Sequence, residues 1–168
     1  MVDEDNYLIF VVENNKIYNK LVTEYIKKQG FKNVKPIISG EECIQIIQAG
    51  EKPDIVIQDY SLDGIDGLEV LKKVKKISAH SEFIFLTSNE NMEVAVNTIK
   101  FGAYDYIVKD KMALEKVVYK MRKIVSMLKL QKKNNQIRKL MYAVLGMAAS
   151  IILFAFLYLM ADLLEINL

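Results

Sequence analysis

The sequence predicts an α/β protein with a doubly wound, five-stranded parallel sheet, followed by a C-terminal transmembrane helix. Short apolar runs alternate with amphipathic segments over residues 7–130, as expected where helices connect parallel strands that are buried on both faces. Residues 1–130 contain 19 Lys/Arg and 19 Asp/Glu, which is typical of a soluble domain. Residues 140–161 carry no charge. The length of 168 residues allows one domain with a sizeable core and an appendage.

Five short, mostly apolar runs are predicted to form the sheet. They are Tyr7–Val12, Val34–Ile38, Ile55–Gln58, Phe83–Thr87 and Tyr106–Val108. Helices are predicted after them, at residues 16–29, 40–49, 67–77, 91–101 and 112–130. Five successive βα units favour a doubly wound sheet.

Helix ends carry recognisable capping residues. Gly30 and Gly50 follow the first two predicted helices, where a glycine in the left-handed conformation commonly ends a helix. Ser39 with Glu42 three residues later predicts a capping box at the start of the second helix. The single cysteine, Cys43, excludes an intrachain disulfide.

Polar residues stand at the carboxyl ends of four predicted strands. They are Glu13-Asn14, Asp59, Thr87 and Lys109. In doubly wound sheets functional groups gather outside these strand ends, near the switch in strand order. Acidic groups, a hydroxyl and an amine at one edge are typical of a site for a phosphoryl group and a metal ion.

Several motifs stand in the order found in one known family. They are "VVENN" after the first strand, "DIVIQDYSLDGIDGLEVL" around the third, "FLTS" at the fourth and "GAYDYIVK" at the fifth. The chain therefore resembles, over roughly residues 5–125, the receiver domain of two-component response regulators. The resemblance implies the flavodoxin-like receiver fold.

The resemblance also implies the chemistry. Asp59 would be the nucleophile that accepts a phosphoryl group from a phosphohistidine or a small phosphodonor. Lys109 and Mg²⁺ would stabilise the charge that spreads over the phosphoryl oxygens during transfer. Thr87 would hydrogen-bond a phosphate oxygen, and Tyr106 would be the switch aromatic that turns inward with it. The metal ligands would be Glu13, Asn14, Asp59 and the backbone carbonyl of Ser61.

Other interpretations apply to some of these residues taken singly. Asp63 and Asp66 lie in "DGIDG", whose composition is typical of turns. Tyr106 also fits a half-buried aromatic residue at a strand end. Lys109, considered alone, also fits an ordinary surface lysine.

Asn14 departs from the family pattern, which has a carboxylate at this position. Glu13 and Asp59 then supply two carboxylates where three are usual, so the sequence predicts weaker Mg²⁺ binding and slower phosphorylation. The sequence leaves open whether Asp59 is still phosphorylated. Asp63 and Asp110 stand where the family commonly has proline, which alters the rigidity of their loops.

A basic stretch precedes the uncharged one. Residues 111–139 hold ten Lys/Arg and one acid, Glu115, whereas residues 140–161 form an uncharged stretch of 22 residues. As a helix this stretch would measure about 33 Å, enough to span a bilayer core. The positive-inside rule then places the receiver in the cytoplasm, anchored to the cytoplasmic membrane. The basic residues would favour anionic membrane lipid.

These boundaries predict four segments: the receiver domain at 1–125, a basic juxtamembrane helix or linker at 126–139, the transmembrane helix at 140–161 and a short tail at 162–168. A long soluble helix that dimerises through an apolar face is the alternative for the uncharged stretch. Gly146 and Ser150 have a spacing that suits helix packing and a homodimer. No DNA-reading module follows the receiver, so direct nucleic-acid binding is not expected.

The expected function is that of a membrane-anchored, single-domain response regulator rather than an enzyme. It would accept a phosphoryl group from a histidine kinase or phosphotransfer protein and signal through its fourth helix, fifth strand and fifth helix to a downstream protein. The alternative is a pseudo-receiver that acts, without phosphorylation, as a membrane-tethered interaction module.

Overall fold

The computed structural model describes the backbone of residues 6–165 and the side chains of residues 6–157 and 160. Residues 1–5 and 166–168, at the outer ends of the predicted receiver and tail, lie outside the described residues. The strands are β1 (Ile9–Val12), β2 (Val34–Ile37), β3 (Ile55–Gln58), β4 (Glu82–Thr87) and β5 (Asp105–Val108). The helices are α1 (Lys16–Lys28), α2 (Gly40–Gln48), α3 (Gly67–Ile77), α4 (Met92–Lys100) and α5 (Ala113–Glu165).

The five strands form one parallel sheet in the order β2-β1-β3-β4-β5. This confirms the predicted doubly wound fold, in which the chain switches direction between β1 and β3. In the ladder Val12 pairs with Gln58, and Thr87 pairs with Val108. The carboxyl ends of the central strands therefore lie side by side.

α5 runs on to Glu165, whereas the fifth helix was predicted to end at residue 130; the other predicted element ends differ from the observed ones by at most two residues. β1 begins at Ile9, because this is the first residue paired with both neighbouring strands, whereas the prediction began at Tyr7. β4 begins one residue earlier than predicted, since Glu82 pairs with Ile55. Ile38 lies beyond the last paired residue of β2 and is half exposed.

The predicted glycine caps and the Ser39 N-cap are present, but the capping box is only half formed. Gly30 and Gly50 have φ angles of 104° and 110°, in the left-handed region that glycine tolerates. The Ser39 hydroxyl accepts a hydrogen bond from the Glu42 backbone N–H (3.1 Å). The Glu42 carboxylate reaches back to the N–H of Ile38 (3.1 Å), one residue before the partner that a capping box would use.

Both faces of the sheet are covered, as the apolar composition of the strands predicts. Every residue of β1 and β3 is buried. One hydrophobic cluster joins the strands to α2 and α3; among its members are Phe10, Val56, Phe83, Phe85, Cys43, Ile47 and Leu71. This packing fixes the strand ends that carry the polar residues.

The chain divides into two compact units, Met1–Val125 and Ser126–Leu168. The first unit contains the sheet, α1 to α4 and the first turns of α5, whose Val117, Met121 and Ile124 are fully buried. It therefore carries its own hydrophobic core, and a fragment of residues 1–130 is expected to fold by itself.

The second unit is helical over its described residues. The predicted basic and apolar segments both fall within the bounds of α5. From Ala113 to Leu157 this helix is long and apolar enough to cross a membrane, and its most apolar 18-residue window has a mean hydropathy of 2.4 with no buried residue. The Ser150 hydroxyl donates to the Gly146 carbonyl of the same helix (2.9 Å), and a homodimer through this pair stays a prediction.

Candidate functional site

Glu13 and Asp59 lie side by side at the carboxyl edge of the sheet. Each directly follows a central strand, and the Asp59 N–H donates to the carbonyl of Val12 in the neighbouring strand (2.9 Å). Both residues are buried, at 4% and 7% exposure. The sheet register therefore brings together two carboxylates that are 46 positions apart in the sequence.

Lys109 bridges the two carboxylates. Its Nζ lies 2.7 Å from Glu13 Oε2 and 2.5 Å from Asp59 Oδ2. The lysine is carried there by the end of β5, where its backbone N–H donates to the carbonyl of Thr87 (2.8 Å). The side chain of Lys109 is thus only 17% exposed and is paired with both carboxylates.

The remaining carboxylate oxygens are held by backbone N–H groups. Glu13 Oε1 accepts from the N–H of Asn15 (2.9 Å), and Asp59 Oδ1 accepts from the N–H of Ser61 (3.0 Å). Each carboxylate is therefore fixed by one backbone donor and by the ammonium group of Lys109. Such charge-assisted bonds are stronger than hydrogen bonds between neutral groups.

The electrostatic balance favours charged Lys109. Burial alone would lower the pKa of Lys109, but the hydrogen bonds and charges of Asp59 and Glu13 outweigh this effect and raise the pKa above its ordinary value. At neutral pH the cation therefore lies beside the carboxylate that the sequence predicts as nucleophile.

Asn14 is half-buried beside Glu13, and its side chain makes no hydrogen bond with the residues that the structure describes. Its amide oxygen, the two carboxylates and the Ser61 carbonyl are hard oxygen donors of the type that Mg²⁺ prefers. No group of three or more His, Cys, Asp or Glu side chains among the described residues is placed to hold a metal. The donor chemistry fits Mg²⁺ with less negative charge than three carboxylates would supply.

Thr87 is fully buried at the end of β4. Its hydroxyl accepts from the N–H of Asn89 (3.2 Å), Asn89 Oδ1 accepts from the N–H of Asn91 (2.9 Å), and Asn91 Oδ1 accepts from the N–H of Glu93 (2.8 Å). Asn91 is also the N-cap of α4. Three consecutive turns thus connect Thr87 to the start of α4.

Tyr106 lies against the same loop. Its ring stacks on Phe85 with centroids 6.0 Å apart, and its hydroxyl donates to the carbonyl of Asn89 (2.7 Å). Burial, with smaller contributions from Tyr60 and Asp59, raises the pKa of Tyr106 to about 12. Tyr106 is half-buried, which fits both a switch aromatic residue and a half-buried aromatic residue at a strand end. Its hydroxyl is bonded to the loop that follows Thr87.

Of the three other acidic loop residues that the sequence analysis names, Asp66 and Asp110 have structural contacts. Asp66 caps α3 by accepting from the N–H of Glu69 (2.8 Å), and Asp63 is exposed. Gly64 has a φ of 90°, in agreement with the predicted turn. Asp110 accepts from the N–H of Met112 (2.8 Å) just before α5.

Sequence reasoning missed two neighbours of the site. Tyr18, in the first turn of α1, places its ring over Lys109 with Nζ 4.4 Å from the ring centroid. Gln58 is fully buried, and its Nε2 donates to the carbonyl of Gly67 (2.7 Å), which ties the ends of the loop that carries Asp59. A polar residue inside the apolar run of β3 was a signal for Gln58; an aromatic residue one turn into a helix is too common to single out Tyr18.

Comparisons with known proteins identify the family of this chain. The family model of the response regulator receiver domain matches residues 9–121. An NtrX-like response regulator of Rickettsia felis is 33% identical over 75% of this chain, and the chemotaxis protein CheY of Bacillus subtilis is 26% identical over 60% of it. These matches cover 26% and 83% of the relatives' own lengths, and the match to the regulator ycf29 of Porphyra purpurea covers 50%.

Solved structures show the same fold. A receiver domain of a Francisella response regulator has a TM-score of 0.66 at 18% identity, with 73% of this chain and 99% of that chain covered. The response regulator TrrA of Thermotoga maritima, solved in complex with Mg²⁺ and BeF, has a TM-score of 0.62 at 25% identity, with 70% and 98% covered. Receiver domains are signalling domains of two-component systems, and response regulators interact with histidine kinases or phosphotransfer proteins. Because the family model matches residues 9–121, more than half of the sequence, the chain belongs to the response regulator receiver domain family.

Proposed function

We propose that this protein is a membrane-anchored response regulator that accepts a phosphoryl group on Asp59. The observation that carries the proposal is the ion pair of 2.5 Å between Asp59 and Lys109 at the carboxyl edge of the sheet. A nucleophilic carboxylate with a fixed cation beside it is the arrangement that phosphoryl transfer requires.

In the proposed reaction a carboxylate oxygen of Asp59 attacks the phosphorus of a phosphohistidine or a small phosphodonor. A bond forms between this oxygen and phosphorus. The bond that breaks joins phosphorus to the imidazole nitrogen of the phosphohistidine, or to the leaving oxygen of the small phosphodonor, and the leaving group keeps the bonding electrons. Lys109 stabilises the negative charge on the phosphoryl oxygens, while the Ser61 N–H holds the second oxygen of Asp59. The chain assists its own phosphorylation without turning over a substrate.

Mg²⁺ would be held by Glu13, Asn14, Asp59 and the backbone carbonyl of Ser61. When bound it would supply a second centre of positive charge for the phosphoryl oxygens. Asn14 offers an amide oxygen without charge, so this site is expected to bind the ion more weakly than one with three carboxylates.

Thr87 and Tyr106 would transmit the phosphorylated state. A phosphoryl group that draws the Thr87 hydroxyl towards Asp59 takes it from the Asn89 N–H, the first link of the chain of turns leading to α4. The Tyr106 hydroxyl is bonded to the same loop residue, so the loop and the ring are expected to move together. A downstream protein would recognise the altered surface of α4, β5 and α5.

The proposed segments are the receiver at 1–125, a basic flank at 126–139, a membrane-spanning helix at 140–161 and a short tail at 162–168. The uncharged, exposed stretch of α5 supports the anchor, and the basic flank supports a cytoplasmic receiver and contact with anionic lipid. Membrane fractions from cells that express the full chain should retain it after salt and alkaline carbonate washes. Release by salt would instead support a soluble, helix-mediated dimer.

The second candidate function is a pseudo-receiver that binds a partner without being phosphorylated. Asn14 favours it, because it removes a charge from the metal site. The bridging of both carboxylates by Lys109 also favours it, because an incoming Mg²⁺ must compete with the ammonium group for Glu13 and Asp59.

Phosphorylation of residues 1–130 separates the two functions. The fragment would be incubated with Mg²⁺ and acetyl phosphate, and its intact mass followed over time with Asp59→Asn as the control. A phosphoryl adduct that is absent from the control supports the response regulator. No adduct at high Mg²⁺ supports the pseudo-receiver, and Asn14→Asp then tests whether the missing charge is the cause.

A further inference from the structure

Tyr18 is held at the edge of the site by the start of α1. Asn15 is the N-cap of this helix, and its Oδ1 accepts from the N–H groups of Ile17 and Tyr18 (both 3.1 Å). The same N-cap residue donates its own N–H to Glu13. The backbone of Tyr18 is therefore positioned by the turn that also positions the first carboxylate.

The ring of Tyr18 completes the surroundings of the Lys109 ammonium group. An ammonium group has three N–H donors, and two of them have carboxylate partners in Glu13 and Asp59. The ring centroid lies 4.4 Å from Nζ, well within the range of a cation–π interaction, which leaves the third donor for the ring face. Glu13, Tyr18 and Asp59 also line one small cavity of about 10 Å³.

The contact depends on the ring rather than on the hydroxyl. The Tyr18 hydroxyl makes no hydrogen bond with any residue in the described part of the chain. Burial raises the pKa of Tyr18, with Lys109 opposing and Glu13 and Asp59 reinforcing the shift, so the side chain is neutral at physiological pH. A phenylalanine ring offers the same π face to the cation.

We propose that Tyr18 is a positioning residue of the phosphoacceptor site, whose ring face holds the Lys109 ammonium group against Asp59. The inference rests on the proposed function for its effect on phosphoryl transfer, but the contact itself does not depend on phosphorylation. Without the ring, water replaces it on the third donor, and the flexible lysine side chain is no longer confined to the carboxylates.

The test compares Tyr18→Phe, which keeps the ring, with Tyr18→Leu, which removes it, in the 1–130 fragment. Tyr119→Leu is the matched control, because Tyr119 makes a similar contact with Lys123 (4.7 Å) on the exposed surface of α5. Amide NMR spectra check that each variant is folded, and Tyr18→Met replaces Tyr18→Leu should the latter unfold.

The first readout is the NMR signal of Lys109 itself. Protons over a ring face are shielded, and an ammonium signal is visible only while its protons exchange slowly with water. We expect Tyr18→Phe to keep the shielded ε-methylene and the ammonium signal of Lys109, and Tyr18→Leu to lose both. Wild-type signals in Tyr18→Leu, or their loss in Tyr18→Phe, would overturn the inference.

The second readout is the rate of phosphorylation by acetyl phosphate over a range of concentrations. We expect Tyr18→Leu to lower the limiting rate roughly tenfold, with Tyr18→Phe and Tyr119→Leu close to wild type. An unchanged rate in Tyr18→Leu overturns the inference while the proposed function stands. If wild type takes up no phosphate, the proposed function fails, and the NMR contrast alone decides whether Tyr18 positions Lys109.

Discussion

Replacing Lys109 with methionine would leave Glu13 and Asp59 facing each other without a counter-ion. The side chains of Lys109, Glu13 and Asp59 are 17%, 6% and 8% exposed, so water screens them poorly. The two oxygens that contact Nζ are at most about 5.2 Å apart, the sum of the 2.7 and 2.5 Å distances. Two negative charges at that separation repel by about 3 kcal/mol at an effective dielectric constant of 20.

We therefore expect Lys109→Met to lower the free energy of unfolding by about 3 kcal/mol at pH 7, similar to the cost of breaking other buried ion pairs. The loss should shrink in acid, because protonating either carboxylate removes the repulsion. In wild type the raised pKa of Lys109 makes the stability of the fold depend on pH in the alkaline range rather than in acid. Its stabilisation is complete below the ordinary lysine pKa of about 10.4 and is lost as the pH rises through the raised value.

The assay is urea unfolding of residues 1–130 followed by circular dichroism, since the chain contains no tryptophan. Lys116→Met is the matched control: Lys116 pairs with Asp110 at 2.6 Å, but both side chains are about half exposed (52% and 47%). This exposed pair should contribute less than about 1 kcal/mol. Adding Asp59→Asn to Lys109→Met should restore part of the lost stability. Equal losses for Lys109→Met and Lys116→Met would refute the reasoning.

Three further predictions follow from local contacts. Tyr106 should ionise near pH 12, which phenolate absorbance would show when compared with Tyr106→Phe. The stability that the raised pKa contributes to the fold is complete below about pH 10 and is lost as the pH rises through 12. Ionisation of Tyr106 near pH 10 would contradict this. Asn91→Ala removes the N-cap of α4 and should cost about 1 kcal/mol in urea unfolding; an unchanged midpoint would argue against the cap. Gly67→Ala places a Cβ 2.7 Å from the carbonyl oxygen of Asp59 and should cost about 1–3 kcal/mol; wild-type stability would show that the loop yields freely.

Much of the fold could be predicted from short-range patterns. The apolar runs, the glycines after α1 and α2, and the Ser39 cap each depend on interactions within a few residues, so they are visible in the sequence. The prediction also placed Glu13, Asp59, Thr87 and Lys109 at one edge, because carboxyl ends of parallel strands must share an edge. Element ends were less predictable, since they depend on the neighbouring strand, as Glu82 shows by pairing with Ile55.

The contacts inside the site were decided only by the tertiary structure. Lys109 lies 96 positions from Glu13 and 50 from Asp59, and its bridge to both depends on strand order, register and the direction of a flexible side chain. Tyr18 joins them because the Asn15 cap fixes the first turn of α1 above the sheet edge. The sequence by itself determined the fold class and the residues available for chemistry, because periodicity and capping are local. Packing between distant segments decides that Glu13 and Asp59 both pair with Lys109 and that the ring of Tyr18 lies over its ammonium group. No local pattern encodes these contacts.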